Sequence, residues 1–158
     1  MSTVAQSFGA STSFANLNTT SWAQAVTIST DAVDVAALAP VPVDVLVTVN
    51  ATFPNSTMGA QQAVNIFVSG SEDGTNYDDN DQYSGTNNSQ TTLRAPTNFK
   101  GAVVMAATQN KAIAITFSLR QLYGGVLPRK FGLVLENQCN QTIATKSATY
   151  TSVNYTNT

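Results

Sequence analysis

The sequence predicts an all-β protein, an antiparallel β-sandwich spanning 22–158 with an extended N-terminal arm, 1–21, ahead of it. Three observations carry that expectation. Apolar residues recur at every second position through most of the chain, as in a strand with one buried and one wet face. Turn-forming residues separate these runs at short spacing, as they do in sandwiches and barrels. No segment shows the period of a long amphipathic helix.

Met1 to Ser21 (MSTVAQSFGASTSFANLNTTS) is rich in Ser, Thr, Ala and Asn and holds no charged side chain. Its apolar residues Val4, Phe8, Phe14 and Leu17 follow no clean period, which reads as a loose arm in isolation. An ordered arm of this kind needs a surface, and a neighbouring subunit or its own domain would serve equally. Ala23 to Ser29 is a short strand candidate with Val26 and Ile28 on one face. Val43 to Phe53 is the clearest one: Val43, Val45, Val47, Val49, Ala51 and Phe53 fall on one face and Asp44, Thr48, Asn50 and Thr52 on the other. Pro40 and Pro42 precede it, where proline costs no ladder hydrogen bond.

Gln62 to Ser69 repeats the alternation with Val64, Ile66 and Val68. Lys100 to Thr108, Lys111 to Leu119, Lys130 to Asn137 and Thr142 to Tyr155 complete the strand candidates. Gln109-Asn110 and Gln138-Cys139-Asn140 read as tight connections between successive strands, and Asp73-Gly74 as the start of a further turn. Single helical turns fit Ala32 to Leu38 and Ser118 to Tyr123 at most.

Charged residues make up 10% of the 158 residues, against about 25% in an average soluble domain. A polar surface with so little charge offers little repulsion between copies, which suits a protein that lives assembled. The net charge is −2 and, apart from the pair Arg129-Lys130, the basic residues are spread singly along the chain, so no stripe exists to neutralise nucleic-acid phosphates. No apolar run reaches the length of a membrane span, and no basic-then-apolar leader opens the sequence, so neither membrane insertion nor secretion is expected.

The chain has no histidine and one cysteine. Histidine is the commonest general base and transition-metal ligand, so Ser-His-Asp, Cys-His and zinc arrangements cannot be built. No glycine-rich phosphate-binding motif occurs. A non-enzymatic protein with no catalytic, cofactor-binding or metal residue is therefore expected. One acidic stretch, Glu72 to Asp81, could wrap calcium through Asp73, Asp78, Asp79 and Asp81, although it departs from EF-hand spacing. A solvated turn carrying like charges is the stronger reading. Cys139 has no neighbouring cation or base in sequence to activate it. The sequons at Asn18, Asn50 and Asn140 are what a chain rich in Asn, Ser and Thr produces by chance. Gly124 to Lys130 (GGVLPRK) pairs a flexible lead with a basic dipeptide at the start of a strand. Arg129 or Lys130 could bridge to a partner carboxylate there, or simply give the strand a charged edge.

Two stretches resemble small β-proteins of tailed-phage virions. Phe67 to Tyr77 (FVSGSEDGTNY) is similar to a strand-turn-strand segment of such proteins, and Gly124 to Asn137 (GGVLPRKFGLVLEN) resembles another. Together they cover about a sixth of the chain, and neither is a catalytic signature. The resemblance implies a jelly-roll-like capsid cement or decoration subunit, a homo-oligomer whose partners are the major capsid protein or other virion proteins. It further implies a place in the phage particle after synthesis in the host cytoplasm. A neck or tail subunit (tube, terminator or collar) is an alternative. A carbohydrate-binding β-sandwich is another, using Trp22, Tyr77, Tyr83, Tyr123, Tyr150 or Tyr155 to stack on sugars.

Overall fold

The computed structural model describes residues 4–17, 22–57, 62–78, 83–86, 89–90 and 102–157. Its strands are β1 (Val4–Phe8), β2 (Thr12–Ser13), β3 (Thr27–Ser29), β4 (Val33–Asp34), β5 (Asp44–Thr52) and β6 (Ala63–Ser71). They continue as β7 (Ser89–Gln90), β8 (Ala102–Ala106), β9 (Ala112–Ser118), β10 (Lys130–Asn137) and β11 (Thr145–Asn157). Among the described residues helical structure is confined to a 3-10 turn, Val35–Ala37, and one α-turn, α1 (Leu119–Leu122), both inside the stretches expected to hold a single turn. Asp34 caps the first by accepting from the Ala36 N–H, and the Ser118 hydroxyl caps the second by accepting from the Gln121 N–H at 3.0 Å.

The strands form two antiparallel sheets. The first runs β1-β11-β5-β9, with β2 also on β11; the second runs β7-β3-β10-β6-β8, with β4 also on β10. With the two-residue strands β2, β4 and β7 set aside, chain neighbours lie in opposite sheets everywhere except at β6 and β8. That order is the double Greek key of a jelly roll, so the expected all-β sandwich is what forms. The connections differ from expectation in one respect. Gln109-Asn110 and Gln138-Cys139-Asn140 read as hairpin turns, yet each carries the chain from the second sheet to the first. A short connection can close a hairpin or arch across a sandwich, and local turn chemistry does not distinguish the two.

The core lies between the sheets. On β5 the residues Val45, Val47, Val49 and Ala51 are buried while Leu46, Thr48 and Asn50 are only half-buried, so the alternation read from the sequence is the alternation of the fold. Facing them are Val64, Ile66 and Val68 of β6 and Phe131, Leu133 and Leu135 of β10. Each such side chain contributes about 1.5–3 kcal/mol on leaving water.

The N-terminal segment lies on its own domain over the described residues. Val4–Phe8 pairs antiparallel with Val153–Asn157, and Thr12–Ser13 pairs with Thr149–Tyr150. The register advances by one residue between Gly9, whose N–H donates to Ser152 O, and Thr12, which is a β-bulge separating β1 from β2. Phe14 is buried, with edge-to-face contacts to Phe131 at 5.7 Å and Tyr150 at 5.2 Å. This segment is thus a sheet edge and a core plug.

The outer face of the second sheet is covered too. Phe67, Val134, Tyr77 and Tyr83 form a second apolar cluster there, with the two tyrosine rings edge-to-face at 5.1 Å. The Tyr83 hydroxyl donates to Thr30 O at 2.8 Å, and its ring lies over Gly132, where an added Cβ would sit 1.8 Å from the hydroxyl oxygen. Glycine at 132 is therefore required by close approach. The same cover explains why β6 and β10 are buried on both faces over much of their length.

Candidate assembly surfaces

The acidic loop is closed on itself. Asp73 Oδ1 accepts from the N–H groups of Thr75 and Asn76, both at 2.8 Å, and from the Ser71 hydroxyl at 3.0 Å; Oδ2 accepts from the Asn76 amide at 2.6 Å. These donors, the Asn76 N–H foremost, hold the Asp73 carboxyl well below the usual carboxylate range. Asp78 Oδ2 accepts from the Gly70 N–H at 3.0 Å and the Tyr123 hydroxyl at 2.8 Å. Burial, then that bond to a carboxylate, push the Tyr123 hydroxyl far up. Asp73 and Asp78 therefore spend their oxygens on the loop and its anchor. Among the described residues no group of three or more His, Cys, Asp or Glu is placed to hold a metal. Asp79 and Asp81, the other residues read as calcium ligands, lie outside the described residues, as does the sequon at Asn18.

The basic dipeptide divides. Arg129 is exposed, and its Nη1 donates to Asp73 O at 3.2 Å, so it clamps the acidic loop within its own chain. Lys130 begins β10 in register with Asp34 on one side and Ser71 on the other. The aromatic residues weighed for sugar stacking are mostly interior: Trp22, Tyr77 and Tyr83 are buried, and Trp22 Nε1–H donates to Val26 O at 2.6 Å. Tyr150 is half-buried against Phe14, and Tyr155 is exposed. Cys139 is fully buried, and desolvation pushes its thiol up to about 11. Asn50 lies on β5 and bonds Ser147 Oγ, so a glycan there would have to leave a paired sheet face; Asn140 sits in the exposed inter-sheet turn.

Among the described residues, the outer face of the first sheet forms a continuous polar surface. The register sets Thr48 between Thr116 and Thr149, and Asn50 between Ala114 and Ser147. The Thr48 and Thr116 hydroxyls bond at 2.9 Å, and the Asn50 amide donates to Ser147 Oγ at 3.2 Å. From Leu46 to Thr52 this face carries no charged side chain. Its one carboxylate, Asp44 at the end of β5, accepts from the Ser118 hydroxyl at 2.6 Å, the Val45 N–H at 2.7 Å and the Arg120 N–H at 3.0 Å. Small neutral side chains bonded to one another give a surface that costs less to desolvate than a charged one, because no ion must be stripped of water. The polar half of each alternation was legible in the sequence. That three strands bring those halves together was not.

The fold and these faces define a jelly-roll domain with a neutral outer sheet. No family model matches the chain, and no curated protein matches it. Among solved structures, the cryo-EM structure of broad bean stain virus aligns over 100% of this chain and 89% of its own, at 7% identity and a TM-score of 0.26. A superposition that loose carries no argument about function.

Proposed function

We propose that the protein is a non-enzymatic structural subunit of a virus particle, in the first instance a cement or decoration subunit on a phage capsid. The observation that carries this reading is the neutral, hydrogen-bonded outer face of the first sheet on a jelly-roll frame. A fold alone licenses no function, but this face suits docking on a protein lattice. It needs no ionic partner, and its spread of small contacts multiplies over many copies. The phage-like stretches at Phe67–Tyr77 and Gly124–Asn137 support the same reading. In both, the residues build the loop clamp of Arg129 on Asp73.

Immunogold labelling of purified particles tests it. Label distributed over the shell is the expected result, and label confined to one vertex or to the tail would move the subunit to the neck or tail. Particles carrying no label, with the protein found only free in lysate, would overturn the structural reading. The carbohydrate reading loses ground because Trp22, Tyr77 and Tyr83 are buried and cannot offer a ring to a sugar.

A further inference from the structure

We propose that the open edge of β1 pairs antiparallel with β1 of a second copy, about a two-fold axis passing through Gln6. The argument starts from how β1 and β11 leave the sheet. β11 pairs with β5 only as far as Val153, and its last stretch, Val153–Asn157, pairs with β1. Beyond Val153 the first sheet is thus a two-stranded ribbon among the described residues. Such ribbons are marginal in water without a third strand or a packed face. β1 is exposed at every position but Ser7. Val4 is 65% exposed, Phe8 59% and, across the ribbon on β11, Tyr155 59%.

The edge lacks the charged and proline residues that blunt many exposed strands. β1 contains no Lys, no Pro and no inward charge, and the first ionisable side chain of the sequence is Asp31. The bulge at Gly9 to Thr12 lies beyond β1 and leaves Val4–Phe8 regular. Among the described residues no strand pairs with its outer side.

Hydrogen-bond parity selects which groups are open. The Gly9 N–H donates to Ser152 O at 2.9 Å, so Gly9, and by alternation Ser7 and Ala5, direct their N–H and C=O groups toward β11. Val4, Gln6 and Phe8 therefore direct theirs outward. An antiparallel pairing centred on Gln6 sets Val4 against the partner's Phe8 and Gln6 against the partner's Gln6. Phe8 then faces the partner's Val4, and each pair exchanges both backbone bonds. The exposed apolar residues cover one another, and the glutamine amides meet on the axis. A self-paired antiparallel strand is isologous, so the assembly closes at two copies. The occupant is a second copy because this strand complements its own reverse, in both side chains and bonding parity. The inference does not rest on the particle reading.

Light scattering with size-exclusion chromatography tests it on the full chain, against the variant Gln6→Pro. Proline at 6 removes an N–H that faces outward, so the ladder to β11 survives while two bonds at the axis are lost. That loss amounts to about a 30-fold rise in the dissociation constant. The expected result is a concentration-dependent dimer for the native chain and a monomer of native near-ultraviolet signal for Gln6→Pro. Hydrogen exchange on the native chain gives a readout that needs no variant. In the dimer the amides of Val4, Gln6 and Phe8 are protected together with those of Ala5 and Ser7, and dilution should release only the first three. A native chain that stays monomeric, a dimer indifferent to Gln6→Pro, or exchange at Val4, Gln6 and Phe8 that ignores concentration would each overturn the pairing. Association through another surface or with another protein would appear as the second or third of these.

Discussion

Replacing Asn137 with alanine should cost the domain about 2–6 kcal/mol, because one side chain serves four backbone groups where the β10–β11 crossing meets the segment leading into β3. Asn137 is fully buried; its Nδ2 donates to Trp22 O at 2.9 Å, Gln141 O at 3.0 Å and Ala23 O at 3.2 Å, and its Oδ1 accepts from the Cys139 N–H at 2.9 Å. After truncation, Trp22 O keeps its bond from the Ile143 N–H and Ala23 O keeps the Val26 N–H. The buried Cys139 N–H and the half-buried Gln141 O have no such replacement, and each orphaned group costs at most about 1–3 kcal/mol. At about 2–4 °C per kcal/mol for a chain of this size, the melting temperature should fall by about 8–16 °C for a mid-range loss. Trp22, the one tryptophan, is buried at this junction and reports unfolding in urea directly. Asn137→Asp supplies the sign control. It keeps an acceptor for Cys139 but turns an oxygen toward three carbonyls, which raises the carboxyl pKa in the folded state. Its folded form then binds the extra proton, so the variant should regain stability as pH falls, opposite to a salt-bridged aspartate. An alanine variant within about 1 kcal/mol of native, or an aspartate variant equal to native at pH 7, would refute the network.

Phe14→Ala should cost about 3–5 kcal/mol, since the ring fills the gap between Phe131 and Tyr150. Deleting residues 1–21 should therefore lower the denaturation midpoint, and an unchanged midpoint would show the segment to be a dispensable arm. Cys139 should resist thiol reagents in the folded state and react only on unfolding, which a timed thiol assay in denaturant reads out. Its folded pKa of about 11 stands above the ordinary 9.0, so stability should be undiminished below about pH 9 and fall until pH passes about 11. The Asp73 carboxyl should titrate well below 3.8 by carbon-detected NMR, so its contribution is present above that pH and lost as acid protonates it. A titration at the ordinary value would mean that the loop bonds do not persist in solution. Added calcium should leave the Asp73 resonance unmoved, because its oxygens are already engaged.

How much of this was legible varies by element. β5 was read nearly to its ends, because Val45, Val47 and Val49 face the core while Thr48 and Asn50 face water. β6 and β10 were placed, but their second buried face was not foreseen. The cover comes from Tyr77 and Tyr83, at least ten residues from Phe67 and over fifty from Val134. Those tyrosines looked like surface aromatics beside acidic residues, and Asp78 read as part of a solvated turn or, less strongly, as a calcium ligand, whereas its carboxylate is met by the Tyr123 hydroxyl and the Gly70 N–H. Strands β1, β2, β4 and β7 escaped notice because short mixed runs such as VAQSF form no sustained alternation of apolar and polar residues. They are strands only because a neighbour accepts their hydrogen bonds.

The sequence by itself determined that this chain is built of strands and that its surface is nearly uncharged. It also removed histidine chemistry from the molecule. Side-chain period and composition are local properties, and both survive folding unchanged. Only the tertiary structure decided that successive strands cross between sheets and that the N-terminal segment lies along β11. Only it buried the loop tyrosines and, among the described residues, left the outer face of the first sheet neutral and the outer edge of β1 unpaired. Each of those outcomes depends on which distant backbone groups satisfy one another, and no local stretch of sequence records that choice.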